Sequence, residues 1–169
     1  MVNRRMLKTS LVVGLVLGAA LVAAPIAPSG TPDDGDDDGR SVRGAGTTML
    51  EGGTGSPAFT PVITKVAFHW QAGAGRFECL ALAPTEEAGT RGSGKFDTNI
   101  MYVTGAITSA DIDEDAAVLK GSATVTGVGA GSDQAFTATV IRGGPGATLV
   151  LEVSGLTFRE ILLDGRFTL

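Results

Sequence analysis

The chain has 169 residues, 18 of them acidic and 13 basic, and its net charge at neutral pH is −5. Nucleic acid and anionic membrane surfaces are poor partners for such a protein, because both carry dense negative charge. Its one cysteine, Cys79, has no second cysteine with which to form an intramolecular disulfide, so the fold depends on its hydrophobic core alone.

The first 29 residues have the features of a secretory signal peptide. Arg4, Arg5 and Lys8 form a positively charged start, and an unbroken apolar run follows from Leu11 to Ala24. This run is too short for a helix that crosses a bilayer, which needs about 20 apolar residues. We therefore predict export by the general secretory route, to the periplasm or the cell exterior, with cleavage between about residues 24 and 30. The mature chain would not be inserted in a membrane, and its net charge would be −8.

Residues 30–60 have the composition of a disordered linker. They are rich in Gly, Pro, Ser, Thr and Asp, and they offer few large apolar side chains for burial. The acidic stretch from Thr31 to Gly39 would repel itself and keep the linker extended. The folded domain is accordingly predicted to cover residues 61–169, and a chain that begins near Ser56 is expected to fold like the mature protein.

From Val62 to Leu169, apolar residues alternate with polar ones, and glycine-rich breaks separate the alternating stretches. This period of two is typical of strands that turn one face to a core, and the breaks are typical of hairpin turns. Seven or eight strands joined to their sequence neighbours predict an all-β antiparallel meander, forming either a sandwich or a small barrel. Small residues on several inner faces favour a packed core over a wide lumen.

Each predicted strand has one apolar face. The alternation is clearest from Val118 to Thr126, and in the first strand Thr64 shares the face of its apolar neighbours. The inward residues are predicted to be Val62, Val66, Phe68 and Trp70 in the first strand; Leu119, Gly121, Ala123 and Val125, then Phe136, Ala138 and Val140, then Leu149, Leu151 and Val153 in the middle; and Ile161, Leu163, Phe167 and Leu169 in the last.

His69 and Cys79 are candidates for a nucleophilic pair, since an imidazole can activate a thiol. The predicted turn after the first strand is centred on Gly73-Ala74. This register places His69 opposite Glu78. It places Cys79 opposite Phe68. Because cross-strand partners share a face, the imidazole is expected outside and the thiol inside, as a small buried hydrophobe, and no catalytic residue is assigned.

Two acidic stretches are candidates for calcium, which prefers oxygen ligands. The first is followed by Gly39, as at the start of a calcium-binding loop, but it has Ala45 where such a loop has glutamate. The second lies in a predicted inter-strand loop. A solvated acidic segment is the simpler interpretation of both, so we assign no metal, cofactor or catalytic site. The two stretches are Asp34, Asp36 and Asp38, and Asp111, Asp113 and Asp115.

The last 70 residues or so contain a Gly-x-Ala-x-Val-x-Gly strand at 119–127, a Phe-x-x-x-Val strand at 136–140 and a Gly-Pro-Gly turn at 143–146. In these features the chain resembles the post-COAP domain, a small bacterial β-domain of secreted and surface proteins, some of them collagenase-like. The resemblance implies an accessory β-domain, and it supplies no catalytic residues.

The sequence is compatible with two functions. The first is a non-catalytic exported β-domain that serves as a structural or binding module at the cell surface or in the periplasm, with another surface protein or an extracellular polymer as its partner. The second is a small barrel that binds, or transforms, an apolar small molecule and has His69, Cys79 or Tyr102 as polar groups. An enclosed apolar pocket with His69 or Tyr102 pointing into it would favour the second.

Overall fold

A computed structural model describes residues 39–53, 60–85 and 95–169 as a single β-sheet of eight strands. Each strand is antiparallel to its neighbours in the sequence, and the last pairs with the first, so the sheet closes into a barrel. The predicted all-β meander is confirmed, and the structure selects the barrel over the sandwich. The strands are β1 (Ser41–Leu50), β2 (Ile63–Gln71), β3 (Ala74–Pro84), β4 (Phe96–Ile112), β5 (Ala116–Gly127), β6 (Gly131–Ile141), β7 (Thr148–Val153) and β8 (Leu156–Thr168).

Strand β1 contradicts the linker predicted over residues 30–60. It lies between β2 and β8 and pairs with both along its length, so the folded domain does not begin at residue 61. The interior side of β1 includes Val42, Gly44 and Thr48. A Cβ atom at Gly44 would lie 2.4 Å from Cζ of Phe68 and 2.5 Å from Cδ1 of Phe167, so any other residue would have to displace these rings. The glycine content that suggested a linker therefore belongs to a strand, and it makes room for large aromatic rings. The predicted signal peptide at 1–29 lies outside the described residues.

The turn between β2 and β3 differs from the predicted one by one position. Its central residues are Ala72 and Gly73, with φ of 50° and 79°. Two successive residues in the left-handed region match a type I′ hairpin, whose twist suits the flanking strands. Cys79 consequently lies opposite Val66, not Phe68. A shift of two positions in the partner leaves every side chain on the same face, so the predicted burial is unaffected.

Strand β8 presents the opposite face from the predicted one over its first half. Ile161 and Leu163 are 39% and 44% exposed, whereas Glu160 and Leu162 are buried. The cause is a β-bulge in β8. Thr47 pairs with Asp164 and Thr48 pairs with Leu162, so Leu163 has no partner on β1. Beyond the bulge the alternation is inverted, and Phe167 points inward as predicted.

Four phenylalanine side chains fill the barrel interior on the side nearer the Ala72–Gly73 turn. We call Phe68, Phe77, Phe136 and Phe167 the phenylalanine cluster. Its ring centroids are 5.2 Å, 5.3 Å and 6.3 Å apart in successive pairs, within the range of favourable aromatic contacts. At the opposite end of the barrel, where β1, β3, β5 and β7 finish, the interior contains a pocket. Within the described ranges, no helix has the length and hydropathy needed to cross a membrane.

Candidate functional site

A pocket of about 340 Å³ opens at the end of the barrel opposite the phenylalanine cluster. Its wall comes from the ends of β1 and β3, from the starts of β2, β4 and β8, and from the turn between β5 and β6. Of the described side chains that line it, two are polar, those of Thr64 and Glu160. We call this site the end pocket; it is lined by Leu50, Gly53, Val62, Thr64, Ala81, Ile100, Met101, Val128, Phe158 and Glu160.

Glu160 places a carboxyl group inside this apolar end of the barrel. It lies on β8 between two inward neighbours, Phe158 and Leu162, and its cross-strand partners are Leu149 on β7 and Leu50 on β1. Only 2% of its surface is exposed. A buried carboxyl group among leucines is costly to the fold unless it is hydrogen-bonded or neutral.

Two threonines hold one oxygen of this carboxyl group. Thr48 and Thr64 face each other across β1 and β2, and both hydroxyls donate hydrogen bonds to Oε2 of Glu160. The two hydroxyls also contact each other. The other oxygen, Oε1, is shielded from solvent and has no hydrogen-bond partner among the described residues.

The pKa of Glu160 reflects this environment. Burial raises it above the ordinary range of a glutamate, because the charged form loses its hydration. The hydrogen bonds from Thr48 and Thr64 act in the opposite direction, since they stabilise the carboxylate, but burial is the larger effect. Such a residue in a concave apolar site is a candidate functional group.

Cys79 is the neighbour of this group on β3. Its side chain is fully buried and faces the interior next to Thr64. Burial raises the pKa of the Cys79 thiol well above its usual value, and the nearby charge of Glu160 raises it further. A hydrogen bond with Thr64 only partly offsets these effects. The thiol therefore stays protonated and unreactive at neutral pH.

We expect Cys79 in the folded protein to react with Ellman's reagent at pH 7.5 at least about a hundredfold more slowly than in 6 M guanidinium chloride, because labelling requires the barrel to open. The rate of absorbance change at 412 nm measures the reaction in both states. Fast labelling of the folded protein would show that the thiol is accessible and would contradict its placement in the core.

The other residues considered from the sequence lie outside the pocket. His69 is exposed and lies opposite Arg76, not Glu78 as the predicted register had it. Tyr102 borders a depression on the outer surface, together with Lys65 and Glu78. The predicted separation of the imidazole from the thiol is confirmed, because the two side chains are on opposite faces of the sheet.

The acidic stretch at Asp111–Asp115 forms no cation site with its neighbours. Asp115 forms an ion pair with Arg142 at 2.7 Å, and both side chains are largely exposed. Among the residues that the structure describes, no three His, Cys, Asp or Glu side chains come close enough to hold a metal ion. Asp34, Asp36 and Asp38 lie outside the described residues.

Glu160 was not identified from the sequence, although a signal for it exists. Ser154 and Gly155 have φ of 54° and 73° and form a tight turn that pairs Val153 with Leu156. Counting back along β7 from this turn places Leu149 opposite Glu160. Since Leu149 was predicted to point inward and cross-strand partners share a face, the register of this hairpin alone would have placed the carboxyl group inside.

Comparison with protein-family models, with curated proteins and with solved structures finds no match for this chain. The resemblance to the post-COAP domain therefore stays a prediction.

Proposed function

We propose that this protein is an exported, non-catalytic binding module whose end pocket takes a small, largely apolar molecule. The observation that carries the proposal is the pocket itself: about 340 Å³ of space with eight lining residues that have no polar side chain. Ligand sites in proteins are typically apolar clefts of about 300–1,000 Å³ with a few polar groups. The charged start and apolar run at the N-terminus support export.

The pocket's shape supports a ligand that enters from one end. The phenylalanine cluster occupies the interior on the other side, so a molecule in the pocket would lie with its inner end near Thr64 and Glu160 and its outer end near Val128. Val128 is on the turn between β5 and β6 and is 52% exposed, which places it at the mouth. A volume at the low end of the usual range limits the ligand to a small molecule.

The arrangement of titratable groups favours binding over thiol-dependent catalysis. A nucleophilic cysteine needs a neighbouring base or a lowered pKa. Cys79 has a raised pKa, its charged neighbour is an acid, and His69 is on the outer face. These features support the role of a binding module.

Ala81→Phe is expected to weaken the binding of a neutral apolar probe. Ala81 is buried on β3 and lines the end pocket, so a phenyl ring there would occupy space that the ligand needs. The probe is N-phenyl-1-naphthylamine, whose fluorescence rises on transfer from water to an apolar site. Titration of the mature chain should give a saturable increase, and we expect at least a tenfold weaker Kd for the variant.

Ala106→Phe is the matched control. Ala106 is exposed on the outer face of the adjacent strand β4, so the same substitution leaves the pocket unchanged and the titration should match that of the unmodified protein. No saturable binding by the unmodified protein would overturn the proposed function. Equal binding by both variants would place the probe elsewhere on the surface.

A further inference from the structure

We infer that the ligand of the end pocket is an amphipathic amine, with an apolar body against the pocket wall and a protonated nitrogen paired with Glu160. The inference deepens the proposed function and rests on it. Its basis is the juxtaposition of one carboxyl group, buried and held by two hydroxyls, with an otherwise apolar cavity.

The charge of the pocket lining has one sign. Among the described lining residues, Glu160 is the only ionisable one, and none of them is a lysine, arginine or histidine that could receive an acidic ligand. A ligand carboxylate or phosphate would lie against the glutamate in a site of low polarity, where like charges repel strongly. A cationic ligand would instead form an ion pair with the carboxylate of Glu160.

The two oxygens of the carboxyl group are not equivalent. Thr48 and Thr64 both donate to Oε2 and so fix the orientation of the group. Oε1 is buried without a partner among the described residues, although Glu160 lines the pocket. A purely apolar ligand would leave this oxygen unsatisfied, whereas an ammonium group donates charge-assisted hydrogen bonds.

The two threonine hydroxyls also favour the ionised form of the group. They act as preformed donors that stabilise negative charge, and what opposes ionisation is burial away from water. A cation bound beside Glu160 would remove this opposition, because the pair as a whole is neutral. The acidic character of the mature chain, with a net charge of −8, would in addition attract cations to the protein.

A matched pair of probes tests the inference: 1-naphthylmethylamine, a cation at neutral pH, and 1-naphthalenemethanol, a neutral molecule of nearly the same shape. Isothermal titration calorimetry with the mature chain at pH 7 should show the amine binding at least tenfold more tightly than the alcohol. In Glu160→Gln, which keeps the shape of the side chain but not its charge, this preference should disappear while the alcohol still binds. Glu152→Gln, on the exposed face of β7, is the control and should keep the preference.

A second readout needs no variant. Lowering the pH through the pKa of Glu160 should weaken binding of the amine but not of the alcohol, because the amine remains charged while the carboxylate is protonated. The groups packed around Glu160 do not interfere: Thr48 and Thr64 are uncharged, and Cys79, whose thiol has a raised pKa, stays neutral over this range.

The outcomes separate the inference from the proposed function. If the alcohol binds as tightly as the amine, or if Glu160→Gln keeps the preference for the amine, the inference is overturned while the pocket remains a binding site. If neither probe binds, both the proposed function and the inference fail.

Discussion

A chain that begins at Ser56 is expected to lose its cooperative fold, because it lacks β1. This strand closes the barrel between β2 and β8, and without it both neighbours become open edges. Phe68 and Phe167, which pack against Gly44, would also become exposed to water. We expect the loss to exceed the roughly 5–15 kcal/mol that stabilises a domain of this size, so that far-UV circular dichroism shows no thermal transition.

A chain that begins at Asp36 is the control. It retains the whole of β1, so its melting temperature should lie within about 4 °C of that of the mature chain, equivalent to about 1 kcal/mol. If the chain from Ser56 melted at the same temperature as this control, β1 would not be part of the stable barrel.

Glu160→Gln is expected to stabilise the barrel at neutral and alkaline pH. Burial raises the pKa of Glu160 in the folded state above its value of about 4.3 in an unfolded chain, so between these two values the folded state binds more protons. The stability of the natural protein therefore falls as the pH rises through this window. Glutamine resembles the protonated acid and cannot ionise. Above the window we expect the variant to be more stable by about 1–3 kcal/mol, a usual penalty for an incompletely paired buried polar group.

Urea unfolding at a series of pH values from 4 to 8 measures this difference, which should be near zero at pH 4 and grow toward pH 8. Glu152→Gln, an exposed change on β7, should alter the free energy of unfolding by less than about 0.5 kcal/mol at every pH. A Glu160→Gln protein that is less stable than the natural one at pH 8 would mean that the threonine hydrogen bonds outweigh burial.

The fold class was predictable from the sequence because most strands alternate regularly. The inward residues of β5, β6 and β7 were predicted correctly, since, apart from Gly121, the predicted core-face residues are Leu, Val, Ala and Phe. Strand β1 was missed because its inward face includes Gly44 and Gly46, which have no side chain to reveal the pattern. The rings of Phe68 on β2 and Phe167 on β8 fill the space above Gly44. The composition of β1 itself gives no information about these distant residues.

The candidate site was not predictable from alternation alone. In β8 the apolar residues Ile161 and Leu163 formed the more convincing pattern, yet they lie outside, because the bulge at Leu163 inverts the alternation within the strand. With Ile161 and Leu163 predicted to point inward, the alternation would have placed Glu160 on the outer face. Predictions from alternation assume that charged residues point to solvent, and a carboxyl group inside the core breaks this rule. Such exceptions concentrate at functional sites.

The pairing of β1 with β8 also determines when the barrel can form. It joins Arg43 to Thr168, near the two ends of the described part of the chain, so among the described strand pairings the closing one has the largest sequence separation. Contacts of this kind form late, since a long loop must be closed first. On the proposed export route the N-terminal end emerges first, and β1 reaches the far side of the membrane while β8 is still to come. A chain exported in this order would close its barrel only after β8 had crossed.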